Sequence, residues 1–347
     1  MTGKIPLLLL LVLVILISGC TGIPPQLCII PGLCDGGGTE YANDVIIIKS
    51  LEALPEKVSP GQQIKLRSYI QNLGNKPVNG IEVVLYDYCG NLFTVNQECP
   101  DGNGKLSSRK GCRISLLPHQ TKPVEWVLVS DENTKLKTDC KLKIYAKYPY
   151  ETDSITSVTF IDYKEYQKQL DEGTFRLITS YWTEGYGPIK PYLTVEDAQP
   201  IPVERGKEGS VTLGFQIKNK GNGFLSGGDN KIGIDGIIIE RDGKCDFKGK
   251  EGICMRATSI KLGGSEYNIV SGSQNKGNSK YRNLKECIEK NKDSLVLIDR
   301  ETPKMICPVP VPRDVNLPKE STIHVTTTVR YEYEFRKEVK VTVEPKV

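Results

Sequence analysis

Cysteine is the residue type in this chain that offers the most chemistry. The chain has 347 residues, of which eleven are cysteines and two are histidines. Cys20 stands apart, and the other ten form three clusters: Cys28 and Cys34; Cys89, Cys99, Cys112 and Cys140; Cys245, Cys254, Cys287 and Cys307. Each cluster has an even number of members, which in an exported protein predicts five disulfide bonds.

A zinc site is the alternative use of these thiols. Structural zinc sites need closely spaced pairs such as C-x2-C, usually with histidines, and the sequence contains no such pair. We therefore expect disulfides rather than metal ligands. Four cysteines allow three pairings, and we prefer the nested one. It joins Cys89 to Cys140 and Cys99 to Cys112 in the first cluster of four, and Cys245 to Cys307 and Cys254 to Cys287 in the second.

No other pattern in the chain predicts catalysis. The sequence lacks G-x-S-x-G, G-x-x-x-x-G-K-[ST] and H-E-x-x-H, which mark serine hydrolases, P-loop proteins and zinc proteases. Ser107 and Lys110 fit S-x-x-K, but they lie in a polar stretch without a helix that places them on one face. The run from Asp101 begins like a calcium loop, yet Lys105 occupies a ligand position and repels a cation. We expect no enzyme activity, no metal and no cofactor.

Charge and composition restrict the class of protein further. The 46 basic and 42 acidic residues leave a net charge of +4, which is far from the basic footprint of a nucleic-acid-binding protein. The apolar content of 38% is too high for a disordered chain. The length suggests two domains.

The first twenty residues carry an export signal. Residues 5–17 are apolar without interruption, after Lys4 and before Ser18-Gly19-Cys20. As a helix this run is about 20 Å long, shorter than the roughly 30 Å hydrocarbon core, so it indicates a secretory signal peptide. The run Leu16-Ile17-Ser18-Gly19-Cys20 resembles a lipobox, the site at which prolipoproteins are cleaved and lipid-modified on cysteine. An uncleaved anchor and an ordinary signal peptide with a chance cysteine are the alternatives.

This resemblance implies a membrane-attached protein on the outer face of the cell. Residues 1–19 are then the signal peptide, and Cys20 carries the lipid. Residues 20–40 are rich in glycine and proline, so we predict a flexible tether between the lipid and the folded part.

The rest of the chain contains an internal repeat. Asn72-Leu73-Gly74-Asn75 recurs as Asn219-Lys220-Gly221-Asn222, and the alternating strand before each copy keeps the same displacement. At the end of the repeat, Lys147-Tyr148-Pro149-Tyr150-Glu151 matches Arg330-Tyr331-Glu332-Tyr333-Glu334 with a larger displacement. The second copy therefore has extra residues, which we expect at 223–235 and 255–307, with a short helix near residues 281–290. We infer an internal duplication.

Both copies show the pattern of an all-β sandwich, because short alternating strands are separated by turn signals without long helices. We predict two tandem immunoglobulin-like β-sandwich domains at residues 41–163 and 186–347. Residues 164–185 form the linker, with a short helix that Gly173 ends. Pro308, Pro310 and Pro312 cannot donate backbone hydrogen bonds, so their segment is expected at a sheet edge or in a loop.

The first copy resembles the CARDB family of cell-surface immunoglobulin-like domains. Val58-Ser59-Pro60-Gly61-Gln62-Gln63-Ile64 contains the Pro-Gly turn that leads into a strand, and Asn72-Leu73-Gly74-Asn75 is the Asn-x-Gly turn that ends it. The second copy has Arg205-Gly206 in place of Pro-Gly. The whole chain is similar to archaeal surface lipoproteins. The resemblance implies a fold and a location but no reaction.

One aromatic cluster is a candidate binding patch. Tyr181, Trp182 and Tyr186 lie close together in and beside the predicted linker. Exposed aromatic residues stack on sugars or form interface hot spots, while packing between the domains is the alternative. We expect a lipid-anchored adhesion or protein-interaction module without catalytic activity. A glycan- or polymer-binding module is the second hypothesis, and a surface hydrolase is the third.

Overall fold

The computed structural model describes residues 41–98, 104–105, 110–226, 251–262, 265–270, 281–311 and 317–345. Most of these residues lie in strands, and the predicted all-β fold is confirmed. The chain divides into two compact units after Ala42, and the larger unit begins at Asn43. The predicted signal peptide and tether, including Cys20, Cys28 and Cys34, lie outside the described residues.

The described residues form nineteen strands and two α-helices. The first nine strands are β1 (Ile46–Leu54), β2 (Lys57–Val58), β3 (Gln63–Asn72), β4 (Val78–Asp87), β5 (Phe93–Glu98), β6 (Gly104–Lys105), β7 (Gly111–Leu116), β8 (Thr121–Ser130) and β9 (Thr138–Asp162). The others are β10 (Trp182–Glu184), β11 (Ile189–Val195), β12 (Ile201–Val203), β13 (Gly209–Asn219), β14 (Phe224–Leu225), β15 (Gly252–Ala257), β16 (Ile260–Leu262), β17 (Ser265–Tyr267), β18 (Met305–Val311) and β19 (Glu320–Val343).

The helices are α1 (Tyr163–Asp171) and α2 (Leu284–Lys290), and a 3-10 turn at Lys292–Ser294 follows the second. Both agree with the sequence predictions. The Asp162 carboxylate caps α1, because it accepts hydrogen bonds from the backbone N–H groups of Lys164 and Glu165. Gly173 follows the helix with a φ of 65°, a left-handed conformation that favours glycine.

Two long strands cross the whole larger unit. β9 and β19 pair antiparallel without a shift in register, from Thr138 opposite Val343 to Ile161 opposite Glu320. The 24 residues of β19 make this ladder roughly 80 Å long. An average strand has only about five or six residues, so β19 is several times longer than usual.

The first half of β9 and the second half of β19 belong to a first lobe, which consists of the described residues in the ranges 43–150 and 331–345. One of its sheets has the order β1-β3-β8-β5. The other contains β7, β4, the first half of β9 and the second half of β19. Trp126, Leu142 and Val341 are fully buried in this lobe.

The second lobe consists of the described residues between 151 and 330 and has the same plan. One sheet has the order β11-β13-β18, and the other contains β15, the first half of β19 and the second half of β9. The short strand β2 runs parallel to the end of β19, and β12 runs parallel to the end of β9. Each lobe therefore receives its last long strand from the other repeat, which is an intramolecular strand exchange.

The repeat predicted from sequence is visible in the strand order. Residues 64–70 lie in β3, between β1 and β8, and residues 211–217 lie in β13, between β11 and β18. Ile46 pairs with Asn72 and Ile189 with Asn219, so the register is also equivalent. The prediction that these segments occupy the same place is confirmed. Along β19, β14 and β15 together take the place that β4 has along β9, and some of the extra residues lie between them.

The predicted linker does not stand between two closed domains. Residues 164–185 contain most of α1 and β10, and β10 pairs with β9 opposite Ser154 to Thr156. Pro308 and Pro310 lie on β18, which within the described residues pairs with β13 alone, so they lie at an edge as predicted, and Pro312 lies outside the described residues.

The disulfide bonds agree with the nested prediction in one repeat and contradict it in the other. Cys89 is bonded to Cys140, as predicted. Cys287 is bonded to Cys307, so the predicted pairs Cys245–Cys307 and Cys254–Cys287 are wrong. Helix α2 lies against β18, which brings Cys287 to Cys307, whereas Cys254 lies on β15 opposite Thr328.

Cys112 and Cys254 are each disulfide-bonded as well. Cys99 and Cys245 lie outside the described residues. The two repeats therefore use their cysteines differently, although both have four.

Candidate binding surfaces

Four buried tyrosines occupy the centre of the β9–β19 ladder. Tyr148 lies opposite Tyr333 and Tyr150 opposite Tyr331, with ring centroids 6.0 and 6.3 Å apart. The Tyr331 hydroxyl lies 2.7 Å from Thr152 Oγ1. Burial raises the pKa of all four phenols, and that of Tyr150 reaches about 12. These phenols stay neutral and join the lobes rather than perform acid–base chemistry.

Tyr186, one of the predicted patch residues, belongs to this junction. Its hydroxyl donates a 2.6 Å hydrogen bond to the backbone oxygen of Asp44. The buried Asp44 carboxylate accepts hydrogen bonds from the backbone and side-chain nitrogens of Asn222, both at 2.9 Å. Burial raises the pKa of Asp44 above its ordinary value. The packing alternative therefore describes Tyr186 better than exposure to a ligand.

Trp182 lies elsewhere, on β10, which pairs with β9. Its ring stacks on Tyr192 with a centroid separation of 5.0 Å and an angle of 23° between the planes. The Tyr192 hydroxyl donates to Glu184 Oε2 at 3.2 Å. Trp182 keeps 37% of its surface exposed and Tyr181 keeps 60%. The three residues predicted as one patch thus have separate environments.

A groove lies beside the Trp182–Tyr192 stack, and we call it the Tyr192 groove. Its volume is about 230 Å³. Its lining consists of Tyr192, Thr194, Gly214, Gln216, Lys218, Lys220 and Lys304. These side chains share one face because β11 and β13 pair in register, with Tyr192 opposite Gln216 and Thr194 opposite Gly214.

Gly214 leaves room for side chains that cross this groove. A Cβ atom there would lie 2.3 Å from Lys304 Cε and 2.5 Å from Glu196 Oε1. Lys304 and Glu196 form an ion pair of 2.7 Å above this position. Lys218 pairs with Glu301 at 2.7 Å, and this hydrogen bond lowers the pKa of Glu301.

A second surface, which the sequence analysis missed, crosses the outer face of the long ladder. We call it the Arg336 row, and its members are Tyr86, Tyr145, Arg336 and Phe224. The Tyr86 and Tyr145 rings are 5.7 Å apart. The Arg336 guanidinium carbon lies 5.8 Å from the Tyr86 ring centroid and 5.4 Å from that of Phe224. The row therefore places three aromatic rings and one planar guanidinium side by side across four neighbouring strands, β4, β9, β19 and β14.

The Arg336 row is fixed by its surroundings. Arg336 lies opposite Tyr145 in the ladder, and its guanidinium bonds to the Glu334 carboxylate. Phe224 keeps 52% and Tyr86 42% of its surface exposed. Charged pairs of both signs lie on neighbouring positions: Lys147 with Glu332, Lys143 with Asp87 and Lys141 with Glu338.

Ser107 of the S-x-x-K match and Asp101 of the calcium-loop match lie outside the described residues, and the two histidines of the chain lie in separate elements. His324 lies exposed on β19 opposite Ser157, and His119 lies in a turn with a φ of 59°. Within the described residues, no group of histidine, cysteine, aspartate and glutamate is placed to hold a metal ion. No helix in the described part of the chain is long and apolar enough to cross a membrane.

Comparisons of the chain with protein-family models and with curated proteins find no match. The functional argument therefore depends on the geometry of the two surfaces.

Proposed function

We propose that this protein is a non-catalytic adhesion or protein-interaction module, held at the outer face of the cell membrane by lipid on Cys20. The observation that carries the proposal is the Arg336 row. Tyrosine, phenylalanine and arginine are enriched at the centres of protein interfaces, and balanced charges are typical of their rims. The row and the neighbouring ion pairs show both features.

The position of the row also supports binding to a large partner. All four side chains stand on strands, so their backbones are held by ladder hydrogen bonds. Because Phe224 comes from the second repeat and Tyr86 from the first, the row forms only when both repeats are folded together. The surface is therefore formed before a partner binds, and little conformational entropy of these side chains is lost on binding.

The sequence resemblances support the location and the class. A lipobox-like run before Cys20 fits anchoring by lipid, and the CARDB-like turns fit a cell-surface binding domain. A glycine- and proline-rich tether at residues 20–40 would hold the row away from the membrane.

An adhesion assay with the intact protein tests this proposal. Proteoliposomes carrying the native protein are incubated with whole cells from the same source, and their retention is measured. The double variant Tyr86→Ala with Phe224→Ala should reduce retention at least tenfold, because two hot-spot truncations each cost about 2 kcal/mol or more. The variant Arg336→Lys should also reduce retention, because lysine lacks the planar group that lies between the rings.

The matched control removes two exposed apolar side chains outside the row. Leu136 keeps 77% and Leu177 71% of its surface exposed. The double variant Leu136→Ala with Leu177→Ala should keep full retention. Equal retention of the row variant and the control would refute the row as the binding surface.

Saccharide binding is a second candidate function, and the Trp182–Tyr192 stack favours it. An exposed indole held flat by a second aromatic ring is suited to packing against a sugar ring. Binding on a glycan array that is lost with Trp182→Ala would support this candidate.

A further inference from the structure

We propose that the Tyr192 groove binds a carboxylate-bearing sugar, such as a uronic acid unit of an acidic polysaccharide. This inference deepens the second candidate function and depends on it. The groove lies in the second lobe, on a different sheet from the Arg336 row.

The aromatic wall supplies the apolar contact that a sugar ring needs. Trp182 and Tyr192 stack at 5.0 Å, so their orientation is fixed before a ligand arrives. The face of an aromatic ring carries partial negative charge, which attracts the polarised C–H bonds on one face of a pyranose. Tyr192 lines the groove and Trp182 stands beside it, so the exposed part of Trp182 is a platform for a ring next to the groove.

The size of the groove fits a single sugar unit. Its volume of about 230 Å³ is below the 300–1,000 Å³ that is typical of pockets for drug-sized ligands. Gly214 keeps the floor open for the Lys304–Glu196 pair, and Thr194 and Gln216 stand beside it with polar groups. Thr194 already donates to Glu196 Oε1 and Gln216 Nε2 to the Thr302 backbone oxygen, so a sugar hydroxyl would donate to the oxygen atoms of these two side chains.

The charge of the lining selects an acidic ligand over a neutral one. All three charged residues that line the groove are lysines: Lys218, Lys220 and Lys304. Lys218 and Lys304 are already paired with carboxylates. Lys220 makes no ion pair within 4 Å with any residue in the described part of the chain. It lies near enough to Glu301 to help lower the pKa of that carboxyl, but Glu301 is already bonded to Lys218, so the Lys220 ammonium can turn to a ligand carboxylate.

A fourth lysine adds to this positive potential. Lys190 lies opposite Lys218 in the β11–β13 register and is buried. Its ammonium donates to the backbone oxygen of Gly185. Desolvation lowers the pKa of Lys190, because burial disfavours the charged ammonium. An anion bound nearby would stabilise that charge.

Calorimetric titration of the full chain with trigalacturonate and with its methyl ester tests the inference. The two ligands have the same rings and differ in the charge of the carboxyl groups. We expect the acid to bind at least tenfold more tightly than the ester, since charge-assisted hydrogen bonds are lost in the ester. The affinity for the acid should fall with added salt.

Variants assign the binding to the groove. Trp182→Ala should abolish binding of both ligands, and Trp182→Phe should keep part of it. Lys220→Ala should weaken the acid about tenfold and leave the ester within twofold. Lys141→Ala, which removes a lysine of the first lobe, and Tyr86→Ala, which truncates the Arg336 row, should bind like the native protein. Far-UV circular dichroism confirms that each variant is folded.

Each outcome decides the matter. Equal affinity for acid and ester, or an unchanged affinity for the acid in Lys220→Ala, overturns the acidic ligand while saccharide binding stands. Binding of neither ligand overturns both, and the adhesion assay on the Arg336 row is unaffected. Dextran sulfate that competes as well as trigalacturonate shows attraction of any polyanion and also overturns the inference.

Discussion

The tyrosine cluster between the lobes allows a sharp test of the strand exchange. Tyr148 and Tyr331 occupy equivalent positions in the two repeats, and both are buried. Their hydroxyl groups differ. That of Tyr331 lies 2.7 Å from Thr152 Oγ1 and accepts the Ile189 backbone N–H at 3.4 Å. That of Tyr148 lies near the Ile46 backbone N–H but makes no hydrogen bond of ordinary geometry with the described residues.

The matched phenylalanine variants should therefore differ in stability. Tyr331→Phe leaves the Thr152 hydroxyl without its partner, so the free energy of unfolding should fall by about 1–3 kcal/mol. Tyr148→Phe removes a buried hydroxyl whose one backbone contact, to Ile46, has poor geometry, so it should change the stability by less than about 0.5 kcal/mol or raise it. The alanine variants at both positions should each lose about 3–5 kcal/mol, because each leaves a cavity of ring size.

Urea titration followed by two signals measures these values. Trp126 is fully buried in the first lobe and Trp182 lies in the second, so tryptophan fluorescence reports on both, and far-UV circular dichroism reports on all strands. Since β9 and β19 run through both lobes, every variant should show one transition at which the two signals coincide. An equal loss in the two phenylalanine variants would refute the hydrogen-bond assignment. Separate transitions for the two signals would refute the shared core.

Three further predictions concern other parts of the chain. Replacing Cys287 and Cys307 together by serine should lower the stability by about 3 kcal/mol, and peptide mapping of the native protein should find these two residues linked. Burial acts to raise the pKa of Glu125, but hydrogen bonds from Arg67 and Lys65 hold it below its ordinary value of 4.5. This carboxylate therefore stabilises the fold above pH 4.5, and the stability difference between the native protein and Glu125→Gln should shrink as the pH falls below that value in acid titrations of unfolding. Intact mass spectrometry of the native protein should find a mature chain that begins with a lipid-modified Cys20, and a chain that begins elsewhere would contradict the lipid anchor.

Local sequence patterns predicted the elements that local physics determines. Alternation of apolar and polar residues identified the strands that contain residues 64–70 and 211–217. Gly173 marked the end of α1, and the prolines of β18 marked an edge. Each of these features depends on neighbours in sequence, so a single chain suffices to find it.

Local patterns could not predict the strand exchange, as Pro149 illustrates. A proline in the middle of a run of alternating residues ordinarily indicates an edge or the end of a strand. Here β9 continues through Pro149. On the side of β9 away from β19, the pairing with β4 ends at Lys147 and the pairing with β10 begins at Ser154, so Pro149 lies in the gap between them. No described strand pairs with β9 there, so the N–H that Pro149 lacks would have had no ladder partner on that side. Only the arrangement of both repeats shows this.

The same dependence on both repeats explains which surfaces the sequence analysis found. Trp182 was predicted because it lies near other aromatic residues in sequence, but its stacking partner Tyr192 comes from the next strand. Arg336 meets Tyr145 only because the end of the second repeat completes the first lobe. If the ancestral unit exchanged this strand with a second copy of itself, duplication would have joined the two copies in one chain. The Arg336 row would then be a surface that neither repeat possesses alone, which is why its binding should be lost together with the fold of either lobe.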